Sequence, residues 1–150
     1  MSHNPRIGEL FAKRSLLKSA GQFREAIPLQ LEIIELLQEE KADRDRLATA
    51  HNMASVLYLG TKLYSTAEWH GRQALALHSD DSPKGHEALG AYNLVMARIL
   101  ASRFEFEDAT RFGQNAIMEY SHWHTPPDDF LSGVIEEVES MAKHTWTTPE

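Results

Sequence analysis

Helical periodicity dominates the hydrophobic and polar pattern of this chain. The clearest example is an apolar stripe at helical spacing near the C-terminal end. It comprises Phe130, Leu131, Val134, Ile135, Val138 and Met141. Strand-like alternation is rare and β-branched residues do not cluster. The pattern therefore predicts an all-α protein. Short polar or glycine-containing interruptions divide it into seven helices, near residues 6–20, 23–40, 44–60, 64–78, 84–102, 106–121 and 126–144.

Two of these predicted helices carry start signals. Ser82 is a candidate N-cap with Pro83 at the first helical position. Thr125, Pro126 and Asp128 form the corresponding capping pattern before the last helix.

Two nine-residue segments, "AEWHGRQAL" from Ala67 and "ATRFGQNAI" from Ala109, share alanine and glycine positions 42 residues apart. A glycine inside a helix costs about 1 kcal/mol relative to alanine, so its recurrence at Gly71 and Gly113 indicates a packing requirement. We expect these glycines to permit close helix contact, with Trp69 and Phe112 filling the displaced volume. The alternative is that both glycines face solvent.

The same frame extends to a third segment. Ala26 precedes Ala67 by 41 residues, and an aromatic residue stands three positions before each alanine, at Phe23, Tyr64 and Phe106. Asn52 and Asn93 are also 41 residues apart. The third repeat has one residue more between this asparagine and the alanine, and the extra residue is predicted in the turn around Phe104. The chain thus divides into helical hairpins over about residues 6–40, 44–78 and 84–121, followed by a final helix.

These features resemble the tetratricopeptide repeat (TPR), whose standard period is 34 residues. The stretch "HNMASVLYLGTKLYSTAEWHGRQALAL" is more narrowly similar to the repeats of about 42 residues in kinesin light chains. The resemblance covers residues 6–121. It departs from the family in the first repeat, where Lys13 and Arg14 replace small or apolar residues. It implies a right-handed α-solenoid of three TPR-like hairpins plus a C-terminal capping helix.

The final helix fits the capping role. Glu136, Glu137 and Glu139 are predicted largely opposite its apolar stripe, so the helix covers the end of the solenoid and presents acids outward. An amphipathic membrane helix would instead carry a basic polar face.

The resemblance also implies a concave groove lined by the first helix of each pair. The matching positions are Phe11, Ser15, Asn52, Val56, Leu59, Asn93, Ala97 and Leu100. An asparagine amide both donates and accepts hydrogen bonds, so Asn52 and Asn93 are predicted to hold an extended peptide backbone. The alternative is that each braces its own helix pair.

One ligand class is disfavoured by the resemblance. TPR domains that bind the acidic C-termini of heat-shock chaperones use a clamp of lysine, arginine and asparagine side chains. Its positions match Phe11, Ser15, Met53, Gly90 and Leu94, none of which is cationic. The groove is therefore predicted to be apolar with amide groups, which suits a hydrophobic or neutral segment.

Charge and composition narrow the partner further. The net charge is −7 and no basic run occurs, which disfavours nucleic acid and anionic membranes as partners. There is no cysteine. No apolar run approaches the roughly 18 residues that span a bilayer, and the N-terminal residues lack the apolar core of a secretory signal. We expect a cytoplasmic protein.

Motifs for catalysis or metal binding are incomplete. "HEALG" from His86 has glycine where a zinc-binding helix needs its second histidine, and His122 and His124 would diverge in a helix. No phosphate-binding or nucleophile motif is present. The sequence predicts no metal, no cofactor and no enzymatic activity.

The predicted function is binding of a protein or peptide partner in the concave groove, as an adaptor, scaffold or chaperone-like holder. A bacterial secretion chaperone is an alternative of the same class. A regulatory or catalytic protein with a small-molecule site in the concave channel is the alternative from another class. Assembly into a homo-oligomer stays open.

Overall fold

The computed structural model describes residues 4–122, 127 and 129–148, and within them it contains seven α-helices and no β-strand. The described residues form two compact units that divide after His78. The all-α prediction is confirmed. None of the described helices combines the length and the apolar character needed to cross a membrane.

The first unit contains four helices, α1 (Pro5–Ser19), α2 (Phe23–Glu39), α3 (Arg44–Gly60) and α4 (Tyr64–Leu77). Each packs against the next in sequence. One core cluster of this unit consists of Leu10, Ile33, Ile34, Leu37, Ala50 and Ala54.

The second unit contains α5 (Pro83–Ser102), α6 (Phe106–Ser121) and α7 (Phe130–Ala142), again packed in sequence. The apolar stripe of α7 is confirmed, because Val134, Val138 and Met141 are buried in two core clusters with residues of α5 and α6. Glu137 departs from the prediction. Its carboxylate is bonded to Arg98 instead of pointing outward with Glu136 and Glu139.

Helix boundaries follow the sequence signals closely. The first six helices begin and end within one residue of the predicted positions. Ser82 caps α5 as predicted, since its side chain accepts a hydrogen bond from the Gly85 N–H at 3.2 Å. The seventh helix begins at Phe130 instead of residue 126, because Asp129 has a left-handed φ of 67° that helical geometry excludes. The predicted cap at Thr125, Pro126 and Asp128 lies outside the described residues.

The same turn ends the first helix of each predicted hairpin. In each case one residue adopts a left-handed φ, namely Gly21, Lys62 and Phe104. The N–H of the following residue then donates to the carbonyl five residues earlier, in the pairs Gln22–Leu17, Leu63–Tyr58 and Glu105–Leu100. This is the Schellman motif, which satisfies carbonyls that the helix end leaves free. The three turns are 41 and 42 residues apart. The same turn geometry therefore recurs at the spacing of the sequence repeat.

Each turn is followed by a fully buried alanine. Ala26, Ala67 and Ala109 are each 0% exposed, and each lies five residues after its left-handed residue. A larger side chain at any of these positions would have to displace closely packed neighbours.

The extra residue of the third segment does not lie in the turn around Phe104, contrary to the prediction. Asn52 precedes Lys62 by ten residues, whereas Asn93 precedes Phe104 by eleven, so the extra residue belongs to α5. Burial agrees with a shift of 42. Ser55 and Ala97 are both 0% exposed, as are Leu57 and Ile99. By this register Asn93 corresponds to His51 and not to Asn52.

Close packing at the recurring glycine is confirmed for Gly113. A Cβ placed on Gly113 would lie 2.6 Å from Cγ2 of Val138, so α7 contacts the α6 backbone directly at this point. Gly71 is buried in α4. Phe112 packs against the core, as expected, whereas Trp69 does not fill it and is 55% exposed.

Candidate functional site

The predicted groove residues of the first unit are accessible. Phe11 is 55% exposed, and Ser15, Asn52, Val56 and Leu59 are half-buried. We call these five residues the first-unit face. Asn52 is distinctive among them, because its Oδ1 is buried and has no hydrogen-bond partner among the described residues. A buried amide oxygen in this state lacks a hydrogen bond that a donor from outside the protein would supply.

The predicted groove residues of the second unit are in its interior. Ala97 is 0% exposed and Leu100 is 3% exposed, and both pack in a cluster that includes Met141. Asn93 is also buried, and its Nδ2 donates to the carbonyl of Leu89 at 2.9 Å. The one-residue shift in α5 explains this difference, because a residue moved by one position turns by about 100° around a helix. These three side chains form no accessible face in the structure.

A pocket opens in the first unit next to Phe11. Its volume is about 240 Å³, and side chains from three helices line it. They are Ile7, Phe11 and Arg14 of α1, Gln30, Ile33 and Leu37 of α2, and Arg46, Thr49, Ala50 and Met53 of α3. We call it the α1–α3 pocket. Its walls are mainly apolar, and polar groups stand at a few positions only, which is the usual composition of a small-molecule site.

Arg14 is the unusual member of this pocket. The residue is only 3% exposed, and its guanidinium carbon lies 4.2 Å from the centre of the Phe11 ring. Its Nε is buried without a hydrogen-bond partner, and no carboxylate pairs with the side chain among the described residues. Burial lowers the pKa of Arg14. Among the described residues, the face of the Phe11 ring is the one favourable electrostatic contact seen for this desolvated cation.

Gln30 supplies an unpaired acceptor in the same pocket. Its Nε2 donates to the carbonyl of Ala50 at 2.9 Å, which fixes the amide between α2 and α3. Its Oε1 is buried without a partner among the described residues, and the residue is 2% exposed. The other cation that lines the pocket, Arg46, is paired with Glu40 at 3.0 Å.

Arg14 and Gln30 replace small residues of the repeat pattern. By the spacing of the turns, Arg14 corresponds to Ser55 and Ala97, and Gln30 corresponds to Gly71 and Gly113. All four of these counterparts are buried. The groove was predicted to be apolar with amide groups and no cation. That prediction did not consider Arg14, which is adjacent in sequence to the predicted groove residue Ser15. The signal was present in the sequence, where Lys13 and Arg14 break the pattern of the first repeat.

A histidine pair connects α3 to α4. The Nδ1 atoms of His51 and His70 are 3.0 Å apart, and both residues are buried. Tyr58 stacks on the His70 ring, and Trp69 meets it edge-on. Burial, and secondarily the charge of His51, lowers the pKa of His70 to about 4, and burial also lowers the pKa of His51. The pair is neutral at pH 7, with one ring donating and the other accepting. Sequence patterns gave no sign of it, because the two histidines are 19 residues apart.

Histidines also meet in the second unit. His86 Nδ1 lies 2.6 Å from a carboxylate oxygen of Glu119, and the His122 ring lies beside that of His86. His124, the other half of the sequence pair, lies outside the described residues. Among the described residues no three histidine, aspartate or glutamate side chains are grouped to hold a metal ion.

Neither the known protein families nor the curated proteins include a match to this sequence.

Proposed function

We propose that the chain is a TPR-like interaction module, with the hairpins wound as a right-handed α-solenoid, that binds an apolar segment of a partner protein. The recurrence of one turn and one buried alanine at 41- and 42-residue spacing supports a repeat architecture. In this proposal the protein acts in the cytoplasm as an adaptor or holder and performs no catalysis.

The observation that carries the proposal is the exposure of Phe11 on the first-unit face. A large aromatic side chain that is 55% exposed is a typical anchor for a partner's apolar group. Asn52 adds the unpaired Oδ1, which would accept a hydrogen bond from a backbone N–H of the bound segment. Val56 and Leu59 supply apolar contact beside it. The proposed site is smaller than the sequence suggests, since Asn93, Ala97 and Leu100 take no part in it.

Affinity capture followed by a binding titration tests this proposal. Phe11→Asp places a charge at the proposed anchor and should abolish binding of the partner that the unmodified chain captures. Leu16→Asp is the matched control, because Leu16 is 73% exposed on the same helix but five residues further on, about 140° around it. If both variants, or neither, lose a purified partner, the first-unit face is not the binding site.

A small-molecule site remains the second candidate function. The α1–α3 pocket favours it, because the pocket joins apolar walls to two unsatisfied polar groups.

A further inference from the structure

We propose that the α1–α3 pocket binds a small organic acid with an apolar body, whose carboxylate pairs with Arg14 and whose neighbouring N–H or O–H donates to Gln30. This inference does not depend on partner binding, although Phe11 belongs both to the pocket and to the first-unit face.

The unpaired charge specifies an anion. A guanidinium removed from water is unfavourable unless an acid or several acceptors replace its hydration. Phe11 offers only its ring face, and the described residues provide no carboxylate for Arg14. A ligand carboxylate would supply the missing charge, and a guanidinium is well shaped to bind a carboxylate through two hydrogen bonds.

The unpaired amide oxygen specifies a donor on the ligand. No donor among the described residues reaches Gln30 Oε1, while the hydrogen bond from Nε2 to the carbonyl of Ala50 keeps the amide from turning away. A ligand that presents only a carboxylate would leave this acceptor unsatisfied. A 2-hydroxy acid or an N-acylated amino acid carries a donor next to its carboxylate. A free amino acid is less suitable, because its ammonium group would add a further cation to a pocket that Arg14 and Arg46 already line.

The apolar walls and the volume of the pocket limit the size and the character of the rest of the ligand. Ile7, Ile33 and Met53 are lining residues that offer no charge to a ligand. The volume of about 240 Å³ is below the range of roughly 300–1,000 Å³ for sites that hold drug-sized ligands. One branched aliphatic or aromatic group fits these limits.

The architecture does not require these two polar residues. The corresponding positions of the other hairpins are Ser55 and Gly71 in one and Ala97 and Gly113 in the other, so small side chains serve the packing. Two large polar residues at paired positions, each with an unpaired buried atom, are explained by a ligand that satisfies both.

Titration of the full chain with N-acetyl-L-leucine tests the inference, with backbone amide NMR shifts as the readout. We expect saturable shifts concentrated in α1, α2 and α3. The matched probe is N-acetyl-L-leucine amide, which has the same body and donor but no charge, and it should bind about tenfold more weakly or not at all. 2-Hydroxy-4-methylpentanoate should bind, and 4-methylpentanoate, which lacks the donor, should bind more weakly.

Paired variants separate this pocket from the rest of the surface. Arg14→Met should lose about tenfold or more in affinity for the acid. Arg24→Met, the same substitution at an exposed arginine outside the pocket, should bind as the unmodified chain does. The inference is overturned if the unmodified chain shows no saturable binding at millimolar acid, or if acid and amide bind equally. Unchanged acid affinity in a folded Arg14→Met variant would also overturn it. These tests leave Phe11 unchanged and use no protein partner, so their failure would not bear on the first-unit face.

Discussion

Arg98 and Glu137 form a two-point ion pair between α5 and α7. Nε and Nη2 of the arginine each lie 2.8 Å from one carboxylate oxygen, and the indole N–H of Trp146 donates to Oε2 at 3.0 Å. The pair joins two residues 39 positions apart, and through Trp146 it also ties the residues after α7 to this helix. It adds a polar attachment of α7 to α5 alongside the buried apolar stripe of α7.

Glu137→Gln should destabilise the second unit by about 1–3 kcal/mol, because it leaves the partly buried Arg98 without its counter-ion. Burial alone would raise the pKa of Glu137, but hydrogen bonds from Arg98 and Trp146 and the charge of Arg98 outweigh it and lower the pKa. The stabilisation is therefore present above the ordinary glutamate pKa and is lost as pH falls through the lowered value. Thermal unfolding across pH should show the variant and the unmodified chain converging in acid. Glu139→Gln, at an exposed position of the same helix, is the control and should melt normally.

Gly113→Ala should destabilise the protein although alanine is the better helix former. The new methyl group would overlap Val138, and overpacking costs about 1–3 kcal/mol against a helix gain of about 1 kcal/mol. Gly133→Ala is the opposite case, because nothing lies within 4 Å of its added Cβ, and it should stabilise α7 by about 0.5–1 kcal/mol. Denaturant unfolding distinguishes the two. A stabilised Gly113→Ala would show that α6 and α7 are not in close contact there.

The His51–His70 pair should make the first unit sensitive to mild acid. Because the pKa of His70 is lowered to about 4, the unfolded chain binds more protons than the folded one between that value and about 6.5. Stability is thus complete above the ordinary histidine pKa and falls as pH decreases, by about 1–2 kcal/mol from pH 7 to pH 5. His70→Gln should flatten this dependence, whereas His122→Gln, at an exposed histidine, should not. An equally steep dependence in His70→Gln would contradict the assignment.

The features of the fold that the sequence predicts correctly are local ones. The left-handed turn residues and buried alanines recur at fixed spacing, since each hairpin repeats the same short-range geometry. The burial of Val134 and Val138 followed from spacing within one helix.

The predicted groove of the second unit was wrong, because a single additional residue in α5 changes the direction in which the side chains point. The sequence does not show whether the extra residue of the third segment belongs to the turn or to α5. Its position in α5 determines that Asn93 is buried. Contacts between segments that are distant in sequence could not be predicted either. The Arg98–Glu137 pair and the His51–His70 pair each join residues of different helices, and neither follows any period. Arg14 was visible as a departure from the pattern, but its burial without a carboxylate required the structure.

Once a partner has been purified, the Asn52→Ala variant gives the most direct test of whether the first-unit face binds it. Partner affinity and melting temperature are determined on the same protein samples. If Asn52 Oδ1 accepts a hydrogen bond from the bound segment, the variant should bind about 3–10-fold more weakly, the equivalent of about 0.5–1.5 kcal/mol. Its melting temperature should stay nearly unchanged, since Oδ1 has no partner within the described residues to lose. Normal affinity together with a lowered melting temperature would make Asn52 a brace of its own helix pair and would contradict the proposed binding face.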